Sequence, residues 1–343
     1  MSWIFKSAAE TFEQHRERWD ELNRMQGNSI LLDSHFVAPL VRHFASAKTL
    51  LGISHDSSFP GMVLLEKVRS AFWQTFNPSQ GLLGFIVLGS RNDVADQMGE
   101  LLRCLPGVAV SMSINQQDPD MSLFTSLDSH RNVQTLEWIR TARVTLTQAP
   151  EEFWKTRPSR TLIKKLGAQR RHLAAQGMQL EFVEERDPAR VAEGIREHGR
   201  LESAGWKGKQ GTAIEVNNQQ GLFYRELLED FCRNGEGVMY RLLLDKKTIA
   251  SRLSIERDGT MVALKTAYDE SLHKLSPGSL LAQDLFRALL AQERIRVVEF
   301  YGKVTEWTVL WTDEIRTMFH LNFFRYPWIA AARRVLKARH EPH

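Results

Sequence analysis

Cysteine and long apolar runs are the two features that this 343-residue sequence has least of. Its two cysteines, Cys104 and Cys232, lie far apart and are too few for a disulfide framework, so a reducing cytoplasm is the expected compartment. The longest strongly apolar stretch, residues 82–88, is far shorter than the roughly 20 residues that a membrane-spanning helix needs. Charged residues follow Lys6 closely, so no apolar signal-peptide core is expected either.

Several motifs of cofactor and metal chemistry are also missing. The phosphate-binding loop pattern, the G-x-G-x-x-G fingerprint, the G-x-S-x-G nucleophile elbow, C-x-x-C and H-E-x-x-H do not occur. The histidines are scattered, and His35 and His43 share an expected helix without a third ligand. We therefore predict no metal site.

The sequence does have the composition of a globular protein, with 43% hydrophobic and 25% charged residues and a net charge of +4. Its length predicts two domains. A pattern of strands, a helix and a further strand occurs in each half, which indicates two α/β units with mixed sheets. The expected boundary lies near Ala149-Pro150, giving a first domain over residues 1–150 and a second over residues 151–343.

Hydrophobic periodicity and turn residues predict the main elements. In the first half we expect strands over 49–53, 62–68, 83–88 and 108–114, and a helix from residue 94 that ends near Pro106-Gly107. The helices expected in the second half cover 160–176, 187–203, 219–233 and 279–292. The strands expected there cover 178–183, 238–244, 248–256, 260–268 and 296–300.

Basic residues are concentrated in two segments, Lys155–Leu180 and Arg333–Arg339. The first segment contains basic but no acidic side chains. Each segment has two interpretations: a solvated helix face, or a site for phosphate, an acidic substrate or anionic lipid headgroups.

The segment Glu202–Ile214 is unusual, because it places three glycines, a tryptophan and two lysines between two expected helices. One interpretation is a structural turn plugged by Trp206. The other is a substrate-facing loop, since binding groups concentrate on loops over rigid scaffolds.

A second informative segment joins the strand at residues 260–268 to a helix through Ser276-Pro277-Gly278. A strand, a small-residue loop and a helix N-terminus form an anion site, because free backbone N–H groups and the helix dipole point at the ligand. Gly278 permits close approach of the backbone, and Ser279 is expected to cap the helix.

Together these segments resemble the GNAT acyltransferase superfamily, and more narrowly its CelD/BcsL-like branch, associated with cellulose or exopolysaccharide biosynthesis and related to FemABX-type enzymes. The resemblance rests on the loop Glu202–Ile214, on Thr266-Ala267-Tyr268-Asp269, and on Ser276-Pro277-Gly278 with Leu280-Leu281. It covers most of Lys155–Phe319 and the first half in outline. It implies a mixed-sheet GNAT fold in two tandem units, the first of them degenerate because no glycine-rich loop follows Leu88.

The resemblance also implies where acyl-CoA, most simply acetyl-CoA, would bind. Backbone groups of the strand at Leu264, Lys265, Thr266 and Ala267 would hold the pantetheine arm. The pyrophosphate would lie at Ser276, Pro277, Gly278, Ser279 and Leu280, although this loop departs from the usual Q/R-x-x-G-x-G/A pattern. Near the end of the matching region the branch often has an aromatic residue followed by lysine, where this sequence has Trp307-Thr308.

Acyl transfer to an amine needs a base, stabilisation of an oxyanion and a proton for the leaving thiolate. Glu202 is the first candidate for the base, directly or through water, and Asp269 is the second. Tyr268 is the candidate that would protonate the thiolate. The alternative roles are a cap or ion pair for Glu202, a turn residue for Asp269 and packing for Tyr268.

The acceptor is expected to meet Trp206, which would stack on a sugar face or an apolar group, and Lys207 and Lys209, which would bind acidic groups. The leading prediction is thus an N-acyltransferase acting on a small-molecule, saccharide or cell-envelope acceptor. A FemABX-like aminoacyl transferase is the second, with charged tRNA bound by the basic helix. The third is a non-catalytic scaffold that contacts a partner or a membrane surface through the C-terminal segment at 328–339.

Overall fold

The structure is a computed structural model that describes residues 3–89, 94–124, 127, 130–156, 159–204 and 213–338, with side chains up to residue 333. Its contacts divide the chain into two compact units. The first unit comprises Met1–Ile139 with Arg316–His343, and the second comprises Arg140–Ile315. The second unit thus begins at Arg140 rather than at residue 151. The chain end belongs to the first unit, because its last strand pairs there.

The strands in chain order are β1 (Trp3–Ser7), β2 (Thr49–Ser54), β3 (Gly61–Arg69), β4 (Phe72–Thr75), β5 (Ile86–Leu88), β6 (Ser111–Gln117), β7 (Val133–Thr145), β8 (Leu180–Glu185), β9 (Gly237–Leu244), β10 (Lys247–Arg257), β11 (Thr260–Tyr268), β12 (Val297–Phe300) and β13 (Ile315–Phe324). The helices are α1 (Ala8–Thr11), α2 (Arg16–Gln26), α3 (Ser34–Phe44), α4 (Val94–Cys104), α5 (Pro150–Thr156), α6 (Arg160–Ala175), α7 (Val191–Ala204), α8 (Gln219–Arg233), α9 (Pro277–Gln292), α10 (Glu306–Val309) and α11 (Pro327–Ala338).

The first unit has its strands in the order β1-β2-β3-β4-β6-β13, with β5 paired to β3. Its pairs are antiparallel apart from β4 with β6, which run parallel. The amphipathic helix α4 buries Val94, Met98 and Leu101 in a core that also contains Val63 of β3 and Ile114 of β6. Because α4 carries its apolar residues on one face, it can pack them into this core.

The second unit has the strand order β7-β12-β11-β10-β9-β8. The pair β11 and β12 is parallel, and the other neighbours are antiparallel. Adjacent residues of a strand point to opposite faces of a sheet. On β10, Ser251 lies next to His198 of α7, whereas Arg252 packs against Trp307 on the face that α9 covers. Helices α7 and α9 therefore cover opposite faces of this sheet.

Helix α8 has the bounds that the sequence predicts, whereas several other predicted boundaries are wrong. The predicted strand at 178–183 is Leu180–Glu185, and the predicted helix at 187–203 begins with a 3₁₀ turn, Pro188–Arg190, before α7. The predicted strand at 83–88 is reduced to β5, because Gly84 donates its N–H to Gln116 and its segment turns against β6. The predicted strand at 108–114 begins only at Ser111. The predicted helix at 279–292 begins instead at Pro277, since proline has the φ angle of a first helical position and Ser276 precedes it with a left-handed φ of 52°.

Candidate active site

The parallel strands β11 and β12 pair over a short length and then leave an opening. The register joins Thr260 to Val297 and Val262 to Glu299, after which β11 continues to Tyr268. A cavity of about 180 Å³ lies at this opening. Its lining residues are Arg252, Ala263, Leu264, Lys265, Thr266, Phe300, Gly302, Lys303, Trp307 and Thr308. The part of β11 beyond Val262 therefore borders a space where a ligand can pair with the strand.

Arg252 is the charged side chain buried most deeply in the wall of this cavity, with 1% of its surface exposed. Its Nε donates to Thr266 Oγ1 at 3.1 Å, and its guanidinium carbon lies 5.4 Å from the ring centre of Phe300 and 5.6 Å from that of Trp307. Burial lowers the pKa of Arg252 to about 10, so the side chain is still a cation at neutral pH. Within the described part of the chain, its buried Nη1 has no hydrogen-bond partner.

The first turn of α9 adjoins the same cavity. Trp307, which lines the cavity, donates its indole N–H to Ser279 Oγ at 3.1 Å. A Cβ built on Gly278 would lie 3.4 Å from Cδ1 of Tyr268, an ordinary contact distance. The start of α9 thus brings backbone N–H groups close to the end of β11, the arrangement that favours an anionic group.

The predicted capping role of Ser279 is wrong. Ser276 is the residue that precedes the helix, and its side chain makes no capping hydrogen bond. Ser279 is buried, and its hydroxyl accepts the hydrogen bond from Trp307. The serine therefore links α9 to the cavity wall.

The other residues predicted to bind the cofactor lie partly at the opening beside β11 and partly in the hydrophobic core. Leu264, Lys265 and Thr266 line the cavity, whereas Ala267 is buried and pairs with Ser251 of β10. Pro277, Gly278 and Leu280 are buried in the first turn of α9, and Leu280 belongs to the hydrophobic core.

Glu202 lies near the end of α7 and is almost fully buried, with 4% of its surface exposed. Its Oε2 accepts the backbone N–H of Ile214 at 2.9 Å, and its Oε1 lies 3.7 Å from Nε2 of His198. His198 and Ser251 Oγ are 3.2 Å apart through the other ring nitrogen. A buried carboxylate next to an imidazole and a hydroxyl can exchange protons, which is the chemistry that a general base requires.

Tyr224 of α8 lies close to Lys265 in the wall of the cavity. Burial, with a further contribution from the charge of Glu202, raises the pKa of the Tyr224 hydroxyl far above its usual range, so the phenol stays protonated. The Lys265 ammonium nitrogen lies 5.7 Å from the centre of the Tyr224 ring. Because Lys265 also lines the cavity, Tyr224 lies beside a residue of the opening at β11.

Tyr268 and Asp269 do not line the cavity. Tyr268 is 43% exposed and packs its ring near Gly278. Asp269 accepts hydrogen bonds from the backbone N–H and the hydroxyl of Ser271, and so caps the 3₁₀ turn Glu270–Leu275. Its carboxylate thus has the turn role given above as the alternative to catalysis. Trp206, Lys207 and Lys209 lie outside the described residues.

Sequence reasoning missed His198, Tyr224, Ser251 and Arg252. Two signals were available for them. His198 stands four positions before Glu202 on an expected helix, which places both on one face. Arg252 is a charged residue inside the largely apolar strand pattern of β10.

The described residues contain neither a metal-binding cluster nor a membrane-spanning helix. No group of three or more His, Cys, Asp or Glu side chains there could hold a metal ion. None of the helices in the described ranges is long and apolar enough to cross a membrane.

Comparison with known proteins assigns the domain that contains the site. Residues 160–308 match the family profile described as an acetyltransferase (GNAT) domain. This segment includes Glu202, Arg252 and every residue that lines the cavity. For residues 160–308 the match confirms the predicted GNAT fold and the predicted class of enzyme, a GNAT N-acyltransferase. A search of curated protein sequences finds no match.

Solved structures extend the likeness in fold to nearly the whole chain. FemX is similar with a TM-score of 0.58 at 8% identity, covering 96% of this chain and 99% of FemX. The C-terminal domain of a protein named as a lysylphosphatidylglycerol synthetase, from Agrobacterium fabrum, has a TM-score of 0.58 at 13% identity and covers 94% and 95%. L-PGS from Bacillus licheniformis has a TM-score of 0.52 at 13% identity and covers 93% and 95%. At these identities the likeness is one of fold.

Proposed function

We propose that the protein transfers an acyl group from acyl-CoA, with acetyl-CoA as the simplest donor, to an amine of a sugar, polysaccharide or cell-envelope precursor. The observation that carries this proposal is the opening between β11 and β12, which has a cavity at one side and the first turn of α9 beside it. The predicted CelD/BcsL-like branch is part of the same proposal.

The residues of the opening fit a CoA thioester. Leu264, Lys265, Thr266 and Ala267 would pair with the amides of the pantetheine arm, as an extended ligand pairs with a strand edge. Residues 276–280 would hold the pyrophosphate at the start of α9, where the helix dipole favours negative charge. The bound thioester supplies the activated carbonyl carbon that the amine attacks.

Glu202 would act as the general base in this reaction. The amine nitrogen forms a bond to the thioester carbon, its proton passes to Glu202 directly or through water, and the carbon–sulfur bond breaks. Tyr268 is the proposed donor of the proton to the leaving thiolate, and Asp269 is the second candidate for the base. Trp206, Lys207 and Lys209 would bind the acceptor.

A second candidate is aminoacyl transfer from charged tRNA. The observation that favours it is the solvent-facing row of cations on α6, where Lys164, Lys165 and Arg171 are exposed. Arg170 does not contribute, because it is ion-paired with Asp284 of α9 at 2.6 Å. The exposed row would suit the phosphate backbone of RNA.

The chain end supports a peripheral contact with an anionic membrane as part of either function. Tyr326 and Trp328 stack with ring centres 6.3 Å apart, and Trp328 is 68% exposed. Exposed aromatic rings beside the cationic α11 suit a lipid–water interface. These aromatic and basic residues would also suit the third predicted function, a non-catalytic scaffold.

Calorimetric titration of Gly278→Asp tests the proposed donor. A carboxylate at this position would face the pyrophosphate, and the space next to Tyr268 admits a Cβ, so affinity for acetyl-CoA should fall at least about tenfold in a folded protein. The matched control is Gly167→Asp on α6, which adds the same charge where the nearest atom to a new Cβ is the far end of Arg171.

Unchanged acetyl-CoA affinity in folded Gly278→Asp would reject this placement of the cofactor. If the wild-type protein binds charged tRNA and no acyl-CoA, the aminoacyl-transfer function replaces the first. If it binds neither, the scaffold function remains.

A further inference from the structure

The cavity beside β11 is unusual in the charges that surround it. Its wall contains the cations Arg252, Lys265 and Lys303, and no aspartate or glutamate is among its lining residues in the described part of the chain. Arg252 has an indole and a phenyl ring as neighbours, and one of its N–H groups has no partner among described residues. Arg252 therefore places in the cavity wall a buried cation that has no carboxylate among the lining residues.

Other charged residues of the same strand are compensated. Arg257 donates to both carboxylate oxygens of Glu236 at 2.7 and 2.6 Å. Glu256, which is also buried on the face that carries Arg252, accepts from Arg186 at 2.9 Å and from Tyr240 at 2.9 Å. A buried charge without a partner is costly and is rarely kept for stability alone. The contrast on one strand indicates that the partner of Arg252 comes from a ligand.

The size of the cavity restricts that ligand. About 180 Å³ is less than the roughly 300–1,000 Å³ of pockets that enclose drug-sized molecules, so a short chain fits and a nucleotide does not. The guanidinium fork matches a carboxylate with two parallel hydrogen bonds, and Nε is already bonded to Thr266. The rings of Phe300 and Trp307 offer an apolar wall to methylene groups.

We propose that the transferred acyl group ends in a carboxylate, which Arg252 binds inside the cavity while the thioester lies at its mouth. This inference rests on the proposed function and deepens it, because it names a dicarboxylic acyl-CoA as the donor in place of acetyl-CoA. The transfer step is unchanged: the amine nitrogen bonds to the thioester carbon, the carbon–sulfur bond breaks, CoA leaves as the thiol, and the distal carboxylate is carried intact into the product.

Calorimetric titration with two four-carbon thioesters tests the inference. Succinyl-CoA carries the distal carboxylate, and butyryl-CoA has the same chain length without it. A charge-assisted hydrogen bond predicts that the wild-type protein binds succinyl-CoA about 10- to 100-fold more tightly than butyryl-CoA. In Arg252→Gln the two affinities should become equal within about threefold, chiefly through weaker binding of succinyl-CoA.

The matched control is Arg257→Gln, which removes an ion-paired arginine from the same strand outside the cavity and should keep the preference. If Arg252→Gln does not fold, Arg252→Met, which retains an unbranched apolar chain, takes its place. Equal wild-type affinities for the two thioesters would overturn the inference, and so would a preference that survives loss of the guanidinium. If either of these results is found and both thioesters still bind, the proposed acyltransferase function is unaffected. If neither CoA nor any of its thioesters binds, the proposed function and this inference are both rejected.

Discussion

Each unit contains a pair of parallel strands, and the two pairs differ in what lies beyond their last paired residues. In the first unit, β4 and β6 pair from Phe72 with Ser111 to Gln74 with Ser113. Immediately beyond, Asn115 donates its N–H to Thr75 Oγ1 at 3.0 Å, and Gly84 donates its N–H to Gln116 O. In the second unit, the corresponding place beside β11 and β12 is the cavity that contains Arg252.

The difference lies in how the chain uses the opening that two short parallel strands leave. The first unit fills it with its own backbone at Gly84, where an added Cβ would lie 2.2 Å from Asn115 O. The second unit leaves it open and surrounds it with cations. One local arrangement can thus hold the protein's own segment or leave space for a ligand, and the proposed function uses the space in the second unit.

The largest expected effect is on turnover, from Glu202→Gln in the second unit. The amide keeps an oxygen that can accept the N–H of Ile214 but cannot take a proton, so kcat should fall by about 10²–10⁴-fold with little change in melting temperature. Steady-state kinetics beside thermal unfolding measure this. The control is Glu197→Gln on the same helix, whose carboxylate is partly exposed and paired with Arg200. Wild-type kcat in Glu202→Gln would remove Glu202 from the mechanism.

The next effect is on stability, from Gly84→Ala in the first unit. The added methyl group clashes with the backbone oxygen of Asn115, and forcing an atom into such a packed site costs about 1–3 kcal/mol. Denaturant unfolding should report that loss, while acyl-CoA affinity stays at its wild-type value.

Gly99→Ala on α4 is the control, because its position is open and alanine favours a helix, so this variant should gain about 0.5–1 kcal/mol. An unchanged stability of Gly84→Ala would contradict the view that the first opening is filled.

The smallest expected effect comes from Trp307→Phe. This change removes the hydrogen bond to Ser279 but keeps an aromatic ring near Arg252. A lost hydrogen bond of about 1 kcal/mol predicts a fivefold weaker acyl-CoA affinity. The control is Trp154→Phe on α5, a half-buried tryptophan that does not line the cavity. Equal affinities in the two variants would mean that Trp307 does not position the start of α9 for the ligand.

Sequence patterns predicted the elements that depend on neighbouring residues. Helix α8 has the expected bounds, and the hairpin between β9 and β10 turns at Asp245 and Lys246, both with positive φ. Asp187, where the predicted helix begins, caps the 3₁₀ turn Pro188–Arg190, since its side chain accepts the N–H of Ala189. Each of these features is set by side chain and backbone groups within a few positions.

The features that the sequence did not reveal depend on distant parts of the chain. The first opening is filled because Gly84 contacts residues of β6, which lie some thirty positions later in the chain. The sequence does not distinguish Arg252 from other charged strand residues, because its burial depends on contacts with the distant Phe300 and Trp307. The candidate base Glu202 was found from the sequence, but Ser251, which contacts the neighbouring His198, comes from another element.

The central claim is that the second opening binds the acyl donor and the first does not. Hydrogen exchange of the full chain, measured peptide by peptide with and without a CoA thioester, tests it most directly. We predict slower exchange for the amides of residues 263–268 and 278–280, with no change at residues 72–76 and 111–117. Protection at β4 and β6, or saturating ligand that leaves β11 unprotected, would contradict the account.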